Sequence, residues 1–412
     1  MRRRVAGRLA AIVLGLLAAA PAALAAPPPV SAPSAMLVEP STGDVPFERR
    51  ANRARPLASV TKLMTALLTL EAGRLGREVP ASRYRASAVE SRLSLRPGER
   101  LSRADLLRGL LLESANDAAS TLAEAVGGSR RVFVRRMNRR ARELGLRRTR
   151  FTDPIGLDAG NRSSPRDLVR LTLELRRSPF FKRTVNRSET TLESGDAPRT
   201  IRNRNTLLRA DPRVSGVKTG HTNRAGWNLV GTYSRNGVTL VSVVLGAASE
   251  AARNADTLRL LRYGSRRYSR RRVARAGAVL ERVPITYRRG AELDLVAART
   301  VRRVLRRGGP RPRTRVLRAP KEIEGPIRRG QRLGRAELLV GRERVGTVAL
   351  VAGAAVPEAG VTQRTKDYLT RPLGFLAALL GLAAAGTILV RRRTAPRGSG
   401  ATRTARSEVE AA

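Results

Sequence analysis

The sequence predicts an α+β chain: an antiparallel sheet flanked by helices over residues 30–270, then a small all-β domain over 272–357. Three observations predict it. Two apolar runs, Trp227 to Tyr233 and Val238 to Leu245, are joined by Asn236-Gly237, a dipeptide favoured in two-residue hairpins. Segments beginning at Ser59, Ser102 and Ser129 carry apolar residues at helical spacing. Beyond Arg272 the helical spacing gives way to short strand-like runs punctuated by Gly and Pro.

Composition bounds the rest. The length of 412 residues leaves room for roughly two or three domains. With no cysteine, disulfides and thiol chemistry are excluded; one histidine and no cysteine also argue against a zinc site or a Ser-His-Asp triad. The net charge of +48 would fit a nucleic-acid binder. The arginines are spread along the whole chain, however, and no nucleic-acid motif accompanies them. The expectation is general adherence to polyanions, such as acidic lipids and anionic wall polymers, with no specific nucleic acid and no metal or cofactor.

In chain order, residues 1–25 read as a signal peptide: Arg2-Arg3-Arg4, an apolar core from Leu9 to Ala20, and the small-x-small site Ala23-Leu24-Ala25. Ala35 to Val38 is a strand, with a turn at Ser41 to Asp44 and a second short strand after it. The next helix runs from Ser59 to Glu71 and stops at Gly73. It is apolar nearly all round, which marks a buried helix. Ser59 and Lys62 stand three apart at its start, a spacing that shares one helical face. Serine needs a neighbouring base to act as a nucleophile. Lysine serves only if burial or nearby positive charge lowers its pKa. The chain holds 81 Lys and Arg, of which only five are lysine, at 62, 182, 218, 321 and 366. Arginine cannot give up its proton, so a position needing a neutral amine must resist the arginine bias.

Ser102 to Asp105 opens a helix with a capping-box-like pattern, running to Glu113. Ser114-Ala115-Asn116 then separates it from another apolar helix, about Asp117 to Val126. A polar Ser-x-Asn between two buried helices needs partners, and a simple helix cap would also satisfy it. An amphipathic helix from Ser129 to Leu144 is closed by Gly145, and Thr149 to Gly160 is an irregular loop. Ser164-Pro165 opens the next helix, where Asp167 reads as a capping residue. Val214 to Gly220 is a strand ending in Lys218-Thr219-Gly220. His221 reads as a local contact. Glu250 to Tyr263 is the closing helix. In the β domain the strands are Val279 to Ile285, Leu293 to Val296, Val301 to Leu305, Arg315 to Leu317, Ala336 to Val340 and Arg344 to Leu350. Residues 358–371 read as a polar linker. Residues 372–390 are apolar, uncharged and long enough to cross a bilayer, and Arg391-Arg392-Arg393 follow. By the positive-inside rule that places 391–412, a disordered tail, in the cytoplasm and the catalytic domain outside.

Ser59-x-x-Lys62, Ser114-x-Asn116 and Lys218-Thr219-Gly220, in this order and at these separations, resemble the motif set of the penicillin-recognising serine enzymes. The likeness extends to Pro97-Gly98-Glu99, to the run from Asp105 to Ala119, to Asn138 to Leu146, to Gly156-Leu157 and to Gly216 to Thr222. Over about Ala35 to Tyr263 the chain is similar to the low-molecular-mass D-alanyl-D-alanine carboxypeptidases, peptidase family S11. The region from Arg272 to Ala354 is similar to the β-rich domain that follows their catalytic domain. The resemblance implies a β-lactamase/DD-peptidase-like fold and removal of the terminal D-alanine from peptidoglycan stem pentapeptides, with β-lactams as covalent inhibitors. It implies that Ser59 attacks the D-Ala-D-Ala carbonyl and that Lys62, held neutral by neighbouring positive charge, takes its proton. Ser114 relays a proton to the leaving amine, while Asn116 holds Lys62 and the substrate amide. Lys218 and Thr219 bind the terminal carboxylate, and Gly220 lets the strand approach the substrate. The backbone N–H groups of Ser59 and His221 form the oxyanion hole.

Three rivals remain. A β-lactamase would want a deacylating glutamate in the loop between 150 and 170, where only Asp153, Asp158 and Asp167 occur. A DD-endopeptidase usually lacks the β domain. A wall-binding scaffold would have no need of the intact Ser59, Lys62, Ser114, Asn116 and Lys218.

Overall fold

In this computed structural model residues 26–370 and 372–394 are described. The signal peptide expected at 1–25 and the tail from 395 onward lie outside the described residues. The chain forms two compact units. One runs to Arg271 and also takes Arg303–Gly309; the other holds Arg272–Arg302 and the chain from Pro310.

The first unit is built on a five-stranded antiparallel sheet. From edge to edge its strands are Asp44–Arg49, Ser34–Glu39, Val238–Ala247, Gly226–Arg235 and Val214–Thr222. Side chains alternate between the two faces of a strand. On the Ser34–Glu39 strand Met36 and Val38 enter one apolar cluster, while Ala35 and Leu37 enter another. Both clusters are buried, so these strands read as apolar runs without clean alternation. The first cluster lies under the helices Lys62–Glu71, Arg103–Leu111, Asn116–Gly127, Arg130–Glu143 and Pro165–Leu175. The second lies under the helix Glu250–Arg267 and receives Val304. Asn236 and Gly237 have φ of 51° and 74°, as a type I′ hairpin turn requires.

Serine caps begin the helices where the sequence places them. The hydroxyls of Ser102, Ser129 and Ser164 accept from the N–H groups of Asp105, Val132 and Asp167. Three local readings change. Asp167 is not the cap: its carboxylate accepts from the Arg148 N–H at 2.7 Å and the Thr149 hydroxyl at 2.8 Å, pinning a distant loop. The Val214 strand does not end at Gly220 but continues to Thr222, because its neighbour Gly226–Arg235 pairs it that far. The stretch read as polar linker contains a helix, Val361–Thr370, whose residues are free of Gly and Pro.

The second unit is a five-stranded antiparallel sheet. Its order is Val279–Pro284, Glu292–Ala297, Glu343–Ala352, Arg332–Val340 and Pro312–Arg318. Leu293, Leu295, Ala336, Leu338, Val348 and Leu350 are buried in it. Among the described residues no helix is long and apolar enough to cross a membrane. The helix Pro372–Thr394 is continuous through Arg391-Arg392-Arg393, and its described side chains span 376–390.

Candidate active site

Ser59 sits in a 3₁₀ turn, Ala58–Thr61, which feeds directly into the helix Lys62–Glu71. The turn is held by contacts remote in sequence. The Leu57 N–H donates to the Asn161 carbonyl at 3.0 Å. The buried Asn228 side chain donates to the Pro56 and Leu57 carbonyls, and its own oxygen accepts from the Gly246 N–H at 2.8 Å. Ala58 has φ of 50°, a left-handed conformation that strains a non-glycine residue. Two glycines make room for that backbone. At Gly156, with φ of 100°, a Cβ would run into the Ala58 carbonyl and stand 3.1 Å from the Ser59 nitrogen. At Gly220 it would stand 2.8 Å from the Leu57 oxygen and 3.0 Å from the Ser59 nitrogen. Gly220 therefore lets the strand approach the Ser59 turn closely.

Lys62 is fully buried and its Nζ lies 2.9 Å from Ser59 Oγ. It donates to the Ile155 carbonyl at 2.8 Å. Burial lowers its pKa from 10.5 to about 7, although the carboxylates of Asp153, Glu90 and Asp117 act in the opposite direction. The positive neighbours expected from the sequence are not the cause; loss of water is. Ile155 is aimed by Asp153, whose carboxylate accepts from the N–H groups of Ile155, Gly156 and Asp158 and from the Asn161 amide. The Thr65 hydroxyl fixes the Pro154 carbonyl at 2.6 Å.

Ser114 lies between the helices Arg103–Leu111 and Asn116–Gly127. Its φ of 66° is left-handed, it is buried, and its hydroxyl has no hydrogen-bond partner among the described residues. Neither Ser114 nor Asn116 caps the second helix: the capping position is Ala115. The Asn116 amide donates to Glu90 at 2.7 Å, and the partners found for the Lys62 amine are Ser59 and Ile155. The expected Asn116–Lys62 contact is thus replaced by one to Glu90. The Tyr84 hydroxyl donates to the same carboxylate, and Ser87 donates to its other oxygen through N–H and hydroxyl. Burial pushes Glu90 up, but these hydrogen bonds outweigh it and hold its pKa below the usual value. Asp117 binds the N–H groups of Leu93 and Leu95, completing the attachment of this loop over the helix start.

Glu90 and Tyr84 lie in a stretch without periodicity, so sequence spacing gives no sign of them. An isolated acid among Arg83, Arg85, Arg92 and Arg96 is the one available clue. Replacing Glu90 with Gln keeps the shape but weakens the charge-assisted bonds to Asn116 and Tyr84. We expect kcat/KM for a D-Ala-D-Ala peptide to fall about tenfold, on the order of the 1.4 kcal/mol such a bond contributes. An unchanged kcat/KM would show that Glu90 does not position Asn116.

Lys218 is also fully buried. Burial, then the charges of Lys62 and Arg204, lower its pKa well below 10.5, so the two lysines share one electrostatic environment. Glu113, beside the Ser114 turn, pairs with Arg204 and pulls Lys218 the other way. Lys218 donates to the Thr219 carbonyl at 3.1 Å. The strand alternation puts Lys218 and Gly220 on the face of the Ser59 turn. His221 faces elsewhere, stacked on Trp227 with ring centroids 4.0 Å apart; Trp227 in turn lies under the Arg253 guanidinium at 5.6 Å. The Val214–Thr222 strand is the sheet edge. Its outer side is a template for an extended peptide. Among the described residues no group of three or more His, Cys, Asp or Glu could hold a metal.

Residues 21–249 match the family described as D-alanyl-D-alanine carboxypeptidase, and residues 268–358 match the C-terminal domain of penicillin-binding protein 5. The chain is 31% identical to the D-alanyl-D-alanine carboxypeptidase DacD of Escherichia coli, covering 83% of this chain and 91% of that one. Among solved structures it is similar to penicillin-binding protein 6B from E. coli, with 28% identity and a TM-score of 0.61 over 80% of this chain and 98% of that one. It is also similar to penicillin-binding protein D2 from Listeria monocytogenes in the ampicillin-bound form, with 30% identity and a TM-score of 0.52 over 57% and 98% of the two chains.

Proposed function

Because the chain belongs to the D-alanyl-D-alanine carboxypeptidases of peptidase family S11, we propose that it removes the terminal D-alanine from peptidoglycan stem pentapeptides through an acyl-enzyme on Ser59. The observation that carries the reading is the 2.9 Å contact between Ser59 Oγ and a buried lysine whose pKa is about 7. A neutral amine there takes the hydroxyl proton as Oγ attacks the penultimate carbonyl carbon. Ser114, with a free hydroxyl, passes a proton to the departing D-alanine amine. Asn116 is held by Glu90 to meet the substrate amide. Lys218 is costly to charge while alone, and an arriving carboxylate gives it a partner beside Thr219. The N–H groups of Ser59 and His221 hold the developing oxyanion, each donor of this kind contributing about 3 kcal/mol. Water then releases the shortened peptide. A β-lactam enters the same sequence as a covalent inhibitor. The reading is tested by incubating the protein with a stem pentapeptide and measuring free D-alanine; no release would overturn it.

We also propose that residues 372–390 form a single C-terminal span, with 1–25 as the export signal and the catalytic unit outside the cell membrane. Leu376, Leu380, Leu382 and Ile388 are all more than half exposed on the Pro372–Thr394 helix. No Asp, Glu, Lys or Arg occurs from 372 to 390 and three arginines follow. Deleting the chain from Pro372 should move the enzyme from the membrane to the soluble fraction. A truncated chain that stays in the membrane pellet would sink the span.

A further inference from the structure

The Gly226–Arg235 strand begins beside the candidate active site and ends at a second pocket in the same unit. From Trp227 to Arg235 it covers roughly 26 Å at about 3.3 Å per residue. This second pocket has a volume of about 640 Å³. Arg213, Arg235, Arg262, Arg266, Arg270 and Arg307 line it. Arg213 is paired with Asp211 at 2.6 Å. The same Asp211 carboxylate also feels the charge of Arg262, while Arg235, Arg266, Arg270 and Arg307 form no ion pair with a carboxylate among the described residues.

Unpaired arginines are ordinary in a chain with 81 bases and 33 acids. Converging six arginines into one concavity is another matter, since like charges repel and one carboxylate, Asp211, acting on Arg213 and Arg262, leaves most of that charge uncompensated. Two of them are set by the fold. Arg270 lies across the hairpin turn, where a Cβ on Gly237 would stand 2.5 Å from its Cδ. Arg266 belongs to the last turn of the Glu250–Arg267 helix, the end that favours cations. Ser269 adds a hydroxyl that is buried and without a partner among the described residues.

Guanidinium forks match phosphate oxygens bidentately. A volume of about 640 Å³ exceeds what one phosphate fills. The tyrosines in the lining, Tyr233 and Tyr268, are 6% and 1% exposed, so no aromatic face is offered for stacking a base. We propose that this pocket binds a base-free phosphodiester polymer, holding the enzyme to it by the end of the sheet remote from Ser59. The site is independent of the catalytic reading, and its occupancy leaves hydrolysis of a small peptide unchanged.

The test uses the full chain in detergent and a glycerol-phosphate oligomer, with binding read by calorimetry. Arg262→Gln, Arg266→Gln and Arg270→Gln are combined. The control combines Arg131→Gln, Arg135→Gln and Arg139→Gln, which remove the same charge from exposed positions of the Arg130–Glu143 helix. The pocket variant should bind at least about tenfold more weakly and the control within about threefold of wild type. Release of D-alanine should be unchanged in both. Equal weakening in the two variants, or no binding by the wild type, overturns the site. An oligonucleotide of the same charge that binds more tightly overturns the base-free assignment. Glycerophosphoglycerol, the free headgroup of phosphatidylglycerol, separates the lipid source: wild-type binding of it as tight as of the oligomer overturns the polymer. If the triple variant is unfolded by circular dichroism, Arg235→Gln with Arg307→Gln is compared with Arg131→Gln combined with Arg135→Gln, and the same outcomes decide.

Discussion

Ser59→Ala is expected to lower kcat/KM for D-alanine release about 10⁴-fold or more while leaving the fold intact. Ser59 is only partly buried, and the turn around it is held by backbone carbonyls of residues 56 and 57, which the substitution does not touch. Thermal unfolding should shift by no more than a few degrees. Covalent labelling by a fluorescent penicillin should vanish along with release. Undiminished release by the variant would place the nucleophile elsewhere. Loss of release with labelling retained would separate the acylating residue from the peptidase site.

Lys62→Arg should cost about 10³-fold in acylation, within the range of general-base catalysis, because a guanidinium keeps its proton. In the wild type, acylation should rise as pH increases through about 7, where the buried amine becomes neutral. Below that pH it should fall about tenfold per unit, and the variant should lack this limb. The same shift has a stability sign. Between pH 7 and 10.5 the unfolded lysine carries a proton that the folded one has shed. The unfolded state therefore binds more protons, and stability rises with pH across that window. At neutral pH the buried amine costs on the order of 3–5 kcal/mol. Lys62→Met removes that cost and strands the Ile155 carbonyl, which takes back about 1–3 kcal/mol. The net expectation is a small rise in Tm with activity abolished. A lower Tm would mean that the amine stabilises the fold as well as serving chemistry.

Local rules read much of this molecule. The Asn236-Gly237 turn, the three serine caps and the two retained lysines at 62 and 218 all announce themselves within a few residues of sequence. Asp167 reads as a capping residue, and a cap is an alternative for Asn116, because short polar side chains favour helix starts. Their partners lie far away: Thr149 is 18 residues from Asp167, and Glu90 is 26 from Asn116. Asn228 reaches 171 residues back to Leu57, and no spacing rule connects them. The cause of the Lys62 shift was hidden for a related reason. Burial is a property of the assembled core, and charge can be counted along a chain whereas solvent exclusion cannot.

The first strand of the catalytic sheet, Ser34–Glu39, pairs with Val238–Ala247, and the Ser31 N–H and hydroxyl reach the carboxylate of Asp256. The sheet closes between the two ends of its own sequence. Contacts of this span carry a high loop-closure cost before they return any stability, so such topologies fold slowly. A growing chain cannot complete the sheet, and cannot place Asn228 against the Leu57 carbonyl, until about residue 247 is available. The Ser59 turn therefore gains its full set of supports only after nearly all of the unit has been made.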